Sequence, residues 1–172
     1  MITVHRPDPT APMSRWAISP VLPSPETLLC AIRGQVDEVG SPIIDGARQL
    51  GSLYRELIAD PLAGVPIRAQ IGAVVGGIDS WVHGQLPPPH PGAVRVMDSV
   101  GGAISRLAEA SEAAIWALQH YPPADLRVHQ VWEHLAEMRE GYAEFTEKVL
   151  AGAFELPKSW PGIESMEQDL TE

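Results

Sequence analysis

Two pairs of side chains in this sequence combine an imidazole with a carboxylate at a spacing of four residues. Asp79 precedes His83, and His129 precedes Glu133. Residues four apart in a helix project from the same face. Carboxylate and imidazole groups are also ligands that zinc, manganese and non-haem iron take in proteins. If two helices bring the pairs together, the sequence predicts a divalent metal site and a small metal-dependent or hydrolytic enzyme.

Helical register argues against this metal site. We place the apolar Val128 and Val131 at the core-facing positions a and d of a heptad. His129 then falls at b and Glu133 at f, on the outside of the helix, and the first pair also falls at b and f of its own helix. The metal-binding motif His-Glu-x-x-His is absent from the chain. Surface pairs of side chains therefore explain both spacings, and we identify no catalytic residue.

Acidic residues also form a stripe on the fifth predicted helix. The stripe consists of Glu133, Glu137, Glu140, Glu144 and Glu147. It lies opposite the apolar side of that helix, which is typical of a solvated face. The alternative is a docking surface for a basic protein partner, formed by Glu137, Glu140, Glu144 and Glu147 with Trp160 of the tail as an accessory contact.

The longest regular pattern is an apolar seam between 125 and about 152. Its members follow at steps of three and four: Val128, Val131, Leu135, Met138, Tyr142, Phe145 and Val149. This spacing keeps one side of a helix facing a partner helix. Shorter patterns predict further helices at about 24–34, 42–60, 66–84 and 92–120. The sequence therefore predicts an all-α protein, an antiparallel bundle of four main helices plus a short N-terminal helix.

Proline-rich segments divide the chain. Residues 1–23 contain five prolines and no amphipathic period, so we interpret them as an extended arm. The bundle domain is predicted at 24–154 and an acidic C-terminal tail at 155–172. Within the bundle, the run Leu-Pro-Pro-Pro-His-Pro at 86–91 predicts a stiff connection between helices, because successive prolines remove donors and restrict the residues before them.

Glycines weaken the third predicted helix. Gly72, Gly76 and Gly77 cost up to ~1 kcal/mol each relative to alanine. We expect either a neighbouring backbone that comes close to them or a locally kinked or frayed segment. We also expect Asp79 to pair with Arg106 and so fix the register of the third and fourth helices.

Composition limits the classes of function. The chain carries 22 acidic and 12 basic residues, a formal net charge of −10, and its arginines are spread singly. Direct nucleic-acid binding is therefore not expected. The single cysteine, Cys30, is predicted to be a buried and inert thiol. We find no export signal in the first 15 residues and no uninterrupted apolar run of about 18 residues, which predicts a cytoplasmic protein without a membrane span.

Several segments resemble an uncharacterised family of small helical proteins from high-GC bacteria, known only as a domain of unknown function. The segments are Ile78-Asp79-Ser80-Trp81-Val82, Asp98-Ser99-Val100-Gly101-Gly102-Ala103-Ile104-Ser105-Arg106-Leu107-Ala108, Trp132-Glu133-His134-Leu135-Ala136 and Gly141-Tyr142. The resemblance extends over about 26–157. It implies an all-helical fold and brings no established activity.

Two functional hypotheses follow. The first is a non-enzymatic helical protein that acts through protein–protein contacts, as a homo-oligomer and without a cofactor, because an amphipathic face can also be covered by a second copy. The second is the small enzyme with a divalent metal held by Asp79, His83, His129 and Glu133.

Overall fold

Five α-helices make up most of the computed structural model, which describes residues 22–36 and 40–158. They are α1 (Pro25–Ile32), α2 (Pro42–Ala59), α3 (Gly64–Gln85), α4 (Val100–His120) and α5 (Leu126–Leu150). A short 3₁₀ turn, Pro61–Ala63, leads into α3. Two strands, β1 (Val94–Arg95) and β2 (Phe154–Glu155), pair in parallel with Val94 opposite Phe154. The all-α prediction is confirmed, and the predicted boundary between bundle and tail falls within β2.

Local sequence signals set most helix starts. Ser24 accepts a hydrogen bond from the Thr27 N–H at 3.2 Å, and Pro25 takes the first helical position. Asp125 accepts from the Arg127 N–H at 2.9 Å. Both caps agree with the predicted starts of α1 and α5.

The predicted start of the fourth helix at 92 was wrong. Gly92 has a φ of +88°, and the residues after it form β1. Helix α4 starts at Val100, where the Ser99 hydroxyl accepts from the Gly102 N–H at 3.0 Å. Met97, which lies within the range predicted for that helix, is fully exposed. The prediction missed the pairing of β1 with β2 because these strands are far apart in sequence.

The predicted seam of α5 is confirmed. All seven of its residues are buried or half-buried, and α5 packs against α1, α4 and β2. The Tyr142 hydroxyl donates to the Pro23 carbonyl at 3.1 Å. This hydrogen bond ties the middle of α5 to the residues that lead into α1.

Helix α4 is the centre of the described bundle. It contacts α1, α2, α3 and α5, and 12 of its 21 residues are buried. Helix α3 contacts α2 and α4, and only five of its 22 residues are buried. Within the described ranges, the backbones of α3 and α5 do not come close together. The bundle therefore encloses α4 and leaves much of α3 at the surface.

Close backbone approaches occur at glycines other than those expected. A Cβ added at Gly51 would lie 2.2 Å from the Ile32 carbonyl oxygen, and one at Gly101 would lie 2.5 Å from the Val75 carbonyl oxygen. At Gly72, Gly76 and Gly77 an added Cβ would meet nothing within 4 Å. The expected close neighbour of these three glycines is absent from the described bundle, and the helix is continuous through them.

Cys30 is exposed, so the prediction of a buried thiol was wrong. Leu28, Ala31 and Ile32 form the buried side of α1. At about 100° of rotation per residue, Cys30 falls on the other side. A helix of eight residues buries only one narrow side. Because the neighbours of Cys30 are apolar all round the helix, the sequence does not indicate which side is buried.

Candidate functional site

Asp79 is a capping residue in this structure. It is half-buried near the end of α3, and its Oδ1 accepts a hydrogen bond from the Gly101 N–H at 2.7 Å. The carboxylate therefore meets the positive N-terminal end of α4. The predicted pair with Arg106 was wrong, since Arg106 binds Asp98 in the segment before α4. Arg106 lies more than a turn further along the helix, where Asp98 is the carboxylate within its reach.

The four candidate metal ligands lie on two separate helices. His83 is exposed at the end of α3, and His129 and Glu133 are exposed on α5. The two pairs belong to helices whose backbones do not come close together in the described bundle. In the part of the chain that the structure describes, no group of three histidine, cysteine, aspartate or glutamate side chains could hold a metal ion. The described chain by itself therefore does not assemble Asp79, His83, His129 and Glu133 into one site.

The acidic stripe of α5 is solvent-exposed along its length. Glu137, Glu140, Glu144 and Glu147 are all exposed. Glu137 lies 3.8 Å from the His134 ring nitrogen Nδ1. Trp160, the predicted accessory contact, lies outside the described residues. The stripe as a docking surface for a basic partner stays a prediction.

The surface that stands out is the outer side of α3. Small or apolar residues recur there at steps of three and four, and we define the α3 face by Val65, Ala69, Gly72, Ala73, Gly76, Ser80 and Gly84. All are exposed except Gly76, which is half-exposed. Leu62, in the turn before α3, is 98% exposed and Val65 is 83% exposed. The face extends about 30 Å at 1.5 Å per residue.

The α3 face also differs from the rest of the molecule in charge. Between 61 and 97 the chain has a single acidic residue, Asp79, although it carries 22 in all. The carboxylate of Asp79 is occupied by the Gly101 N–H. Arg68 and His83 are the cationic or titratable groups that border the face on α3. This side of an acidic protein is therefore close to neutral.

Among the described residues, one helical stretch, Pro61–Gln85, is long and apolar enough to cross a membrane by length and composition. Arg68 and Asp79 lie within this stretch, so it is not an uninterrupted apolar run. A single helix of this kind is weak evidence for a membrane span, because core helices of soluble proteins have the same composition.

Polar groups inside the bundle were missed by sequence reasoning. The hydroxyls of Tyr54 and Ser105 are 2.8 Å apart in the core, and the carboxylate of Glu112 is buried against Arg55. A signal was present, because Glu112 follows Ala108 by four residues on the side of α4 that Ile104 buries. Apolar periodicity alone does not identify polar residues that share the buried side.

Comparison with known proteins identifies no relative: no family model, no curated protein and no solved structure matches this chain. The resemblance to an uncharacterised helical family therefore stays a prediction.

Proposed function

We propose that this protein is a non-enzymatic helical protein that acts through protein–protein contact, and that it associates with a second copy of itself through the α3 face. The observation that carries this proposal is the set of open glycines on α3. A Cβ at Gly72, Gly76 or Gly77 would meet nothing within 4 Å. Packing within the described bundle therefore offers no reason for glycine at these positions.

Glycine at these three positions lowers the stability of α3. Alanine at these three interior positions would stabilise an isolated helix by about 0.5–1 kcal/mol each. The chain thus carries about 1.5–3 kcal/mol of helix destabilisation that no contact in the described bundle offsets. Small residues at steps of four let two helix backbones come close, as they do between membrane helices. A partner helix on this face would offset the two of these glycines that belong to it, Gly72 and Gly76.

Charge favours a second copy as the partner. Two molecules of net charge −10 repel each other over most of their surfaces. The α3 face is the side on which acidic residues are fewest. The small residues, spaced four apart, can also pack against the same residues of a second copy whose α3 runs antiparallel. This arrangement has the two-fold symmetry of a closed dimer.

The expected dimer is weak. A stripe about 30 Å long and about 10 Å wide buries roughly 300 Å² per copy, compared with about 800 Å² in a standard stable interface. We therefore expect a monomer–dimer equilibrium that changes with protein concentration. Light scattering or sedimentation of the full chain from about 1 μM to 1 mM covers the relevant range of dissociation constants.

Gly72→Glu provides the decisive variant. Glutamate is a better helix former than glycine, and Arg68 one turn earlier gives it a favourable partner, so the monomer is stabilised by about 0.5–1 kcal/mol. In a dimer the same side chain places a charge in the interface and shifts the equilibrium to monomer. Gly141→Glu is the matched control, because Gly141 on α5 is also exposed with nothing within 4 Å of an added Cβ. It leaves the dimer unchanged.

Two results would contradict the proposal. One is a wild-type chain that stays monomeric up to 1 mM, and the other is a dimer that Gly72→Glu leaves intact. Cosedimentation with phosphatidylcholine vesicles, lost in Gly72→Glu and retained in Gly141→Glu, would assign the α3 face to a lipid surface and overturn the protein–protein assignment.

A further inference from the structure

A cleft between α2 and α4 has the size and lining of a small-molecule site. Its volume is about 390 Å³, within the range of about 300–1,000 Å³ that is usual for ligand pockets. Ile58 and Ile115 supply apolar wall, while Arg55, Glu112, Trp116 and His120 supply polar and aromatic groups. The cleft lies at the ends of both helices, at Ala59 and His120, away from the outer side of α3.

A buried carboxylate paired with an exposed arginine lines this cleft. The Glu112 side chain is 3% exposed and accepts two hydrogen bonds from Arg55, from Nε at 3.1 Å and from Nη2 at 2.9 Å. The Arg55 side chain is 57% exposed and borders the opening. Burial of a carboxylate costs desolvation free energy even when the carboxylate is paired. Stability alone therefore does not account for a carboxylate at this position.

An ordered aromatic group forms one wall. The His120 ring stacks on Trp116 with centroids 4.2 Å apart, and its Nδ1–H donates to the Trp116 carbonyl oxygen at 2.7 Å. Tyr121 packs against the indole edge-on at 5.7 Å. These contacts orient the indole, which remains 37% exposed at the cleft. An oriented, accessible indole is the best aromatic surface for a cation.

The local charge also favours a cation. Arg55 is neutralised by Glu112. Both helices present their negative C-terminal ends to the cleft, and three further acidic residues stand within about a turn of its lining: Glu56, Asp60 and Glu109. The resulting negative potential would disfavour an anion and stabilise a positively charged ligand.

We propose that this cleft binds a small planar organic cation, of the class of aromatic amidines and protonated aromatic amines. The ring of the ligand lies against Trp116 and Ile115. Its charge points towards the C-terminal ends of α2 and α4.

Three probes of equal shape and different charge test the proposal: benzamidinium, benzamide and benzoate. Each is titrated into the full chain and followed by the chemical shifts of the indole N–H groups. We expect saturable binding with benzamidinium tightest, benzamide weaker and benzoate undetectable. Binding of benzoate as tight as benzamidinium, or no saturation by benzamidinium up to 20 mM probe, would overturn the assignment.

Variants locate the binding. Trp116→Leu weakens benzamidinium binding by about two- to fivefold, the size of an exposed cation–π contact. The matched control is Trp132→Leu, because Trp132 on α5 has the same 37% exposure and does not line the cleft. Equal losses in both variants would contradict the location.

Opposite charges at the mouth of the cleft separate electrostatics from shape. Ile58 is half-exposed there, so both replacements are compatible with folding. Ile58→Lys weakens benzamidinium binding and Ile58→Glu strengthens it. If both weaken it to the same extent, shape and not charge controls binding, and the cationic class of ligand is wrong.

Discussion

Gly101 illustrates how the surroundings of one residue determine its role. An added Cβ there would lie 2.5 Å from the Val75 carbonyl oxygen and 2.9 Å from Asp79 Oδ1. Glycine thus allows α4 to approach α3 closely enough for the Asp79 carboxylate to reach its N-terminus. At Gly141 the same residue type faces open space and is only a weak point of α5.

Alanine at these two positions is expected to act in opposite directions. Gly101→Ala forces two helices apart and lowers the free energy of unfolding by about 1–3 kcal/mol, the range for overpacked sites. Gly141→Ala raises it by about 0.5–1 kcal/mol through helix propensity. Urea unfolding followed by circular dichroism measures both. A stabilising Gly101→Ala would mean that α3 and α4 are not in contact as described.

Helix α4 carries two caps at its first turn, from different parts of the chain. Ser99 is local and binds the Gly102 N–H, whereas Asp79 comes from α3 and binds the Gly101 N–H. The second bond couples the start of the central helix to its neighbour. The placement of α3 is therefore part of what stabilises α4.

Asp79→Ala is expected to lower the free energy of unfolding by about 1 kcal/mol, the usual effect of losing a cap. Arg106→Ala changes it by less than about 0.5 kcal/mol, because the pair of Arg106 with Asp98 is exposed. The double variant shows the sum of the two effects. If the effect of the double variant on the free energy of unfolding differed strongly from this sum, Asp79 and Arg106 would interact directly after all.

Tyr142 makes the junction between α5 and α1 sensitive to alkaline pH. Burial raises the pKa of its phenol above the ordinary value. The neutral form is therefore favoured in the folded state, so this contribution to stability is complete below about pH 10 and is lost as the pH rises above it. Burial also raises the pKa of Tyr54, which adds a second contribution of the same sign.

Tyr142→Phe separates these contributions. At pH 8 it lowers the free energy of unfolding by about 1 kcal/mol, because the hydrogen bond to the Pro23 carbonyl is lost. Between pH 9.5 and 11 the free energy of unfolding of the variant falls less steeply with pH than that of the wild type. The slope that remains in the variant comes from Tyr54. Chemical unfolding at several pH values in that range measures the slope. An unchanged slope would show that Tyr142 is accessible to solvent.

At the scale of the whole molecule, charge and apolar surface are segregated. Acidic residues line α5, while the α3 face has almost none. A net charge of −10 disfavours contact between copies, and in the proposed dimer the α3 face is where this repulsion would be smallest.

Salt is therefore expected to strengthen self-association. Raising the ionic strength from about 0.02 M to 0.5 M shortens the screening length several-fold and weakens the repulsion between copies. The dissociation constant of the dimer falls by several-fold in sedimentation experiments. A dissociation constant that rises with salt would indicate an ionic interface, and would direct attention to Glu137, Glu140, Glu144 and Glu147.

The sequence by itself determined the features that depend on neighbouring residues along the chain. Helix starts are signalled locally at Ser24, Pro25 and Asp125, because a capping side chain acts on the next few N–H groups and proline favours the first helical position. The seam from Val128 to Val149 faces inward because a helix turns by a constant angle. The all-α fold and the outward positions of His129 and Glu133 follow from the same local geometry.

Only the tertiary structure decided which helices meet. Asp79 binds Gly101 and not Arg106, Gly51 and Gly101 take the close approaches that were expected at Gly72 and Gly76, and Glu112 lies buried beside Arg55. Each outcome depends on residues at least 19 positions apart. Periodicity in the sequence shows that one face of a helix is apolar. Whether another helix covers that face depends on the packing of the whole bundle. In the described bundle the α3 face is not covered.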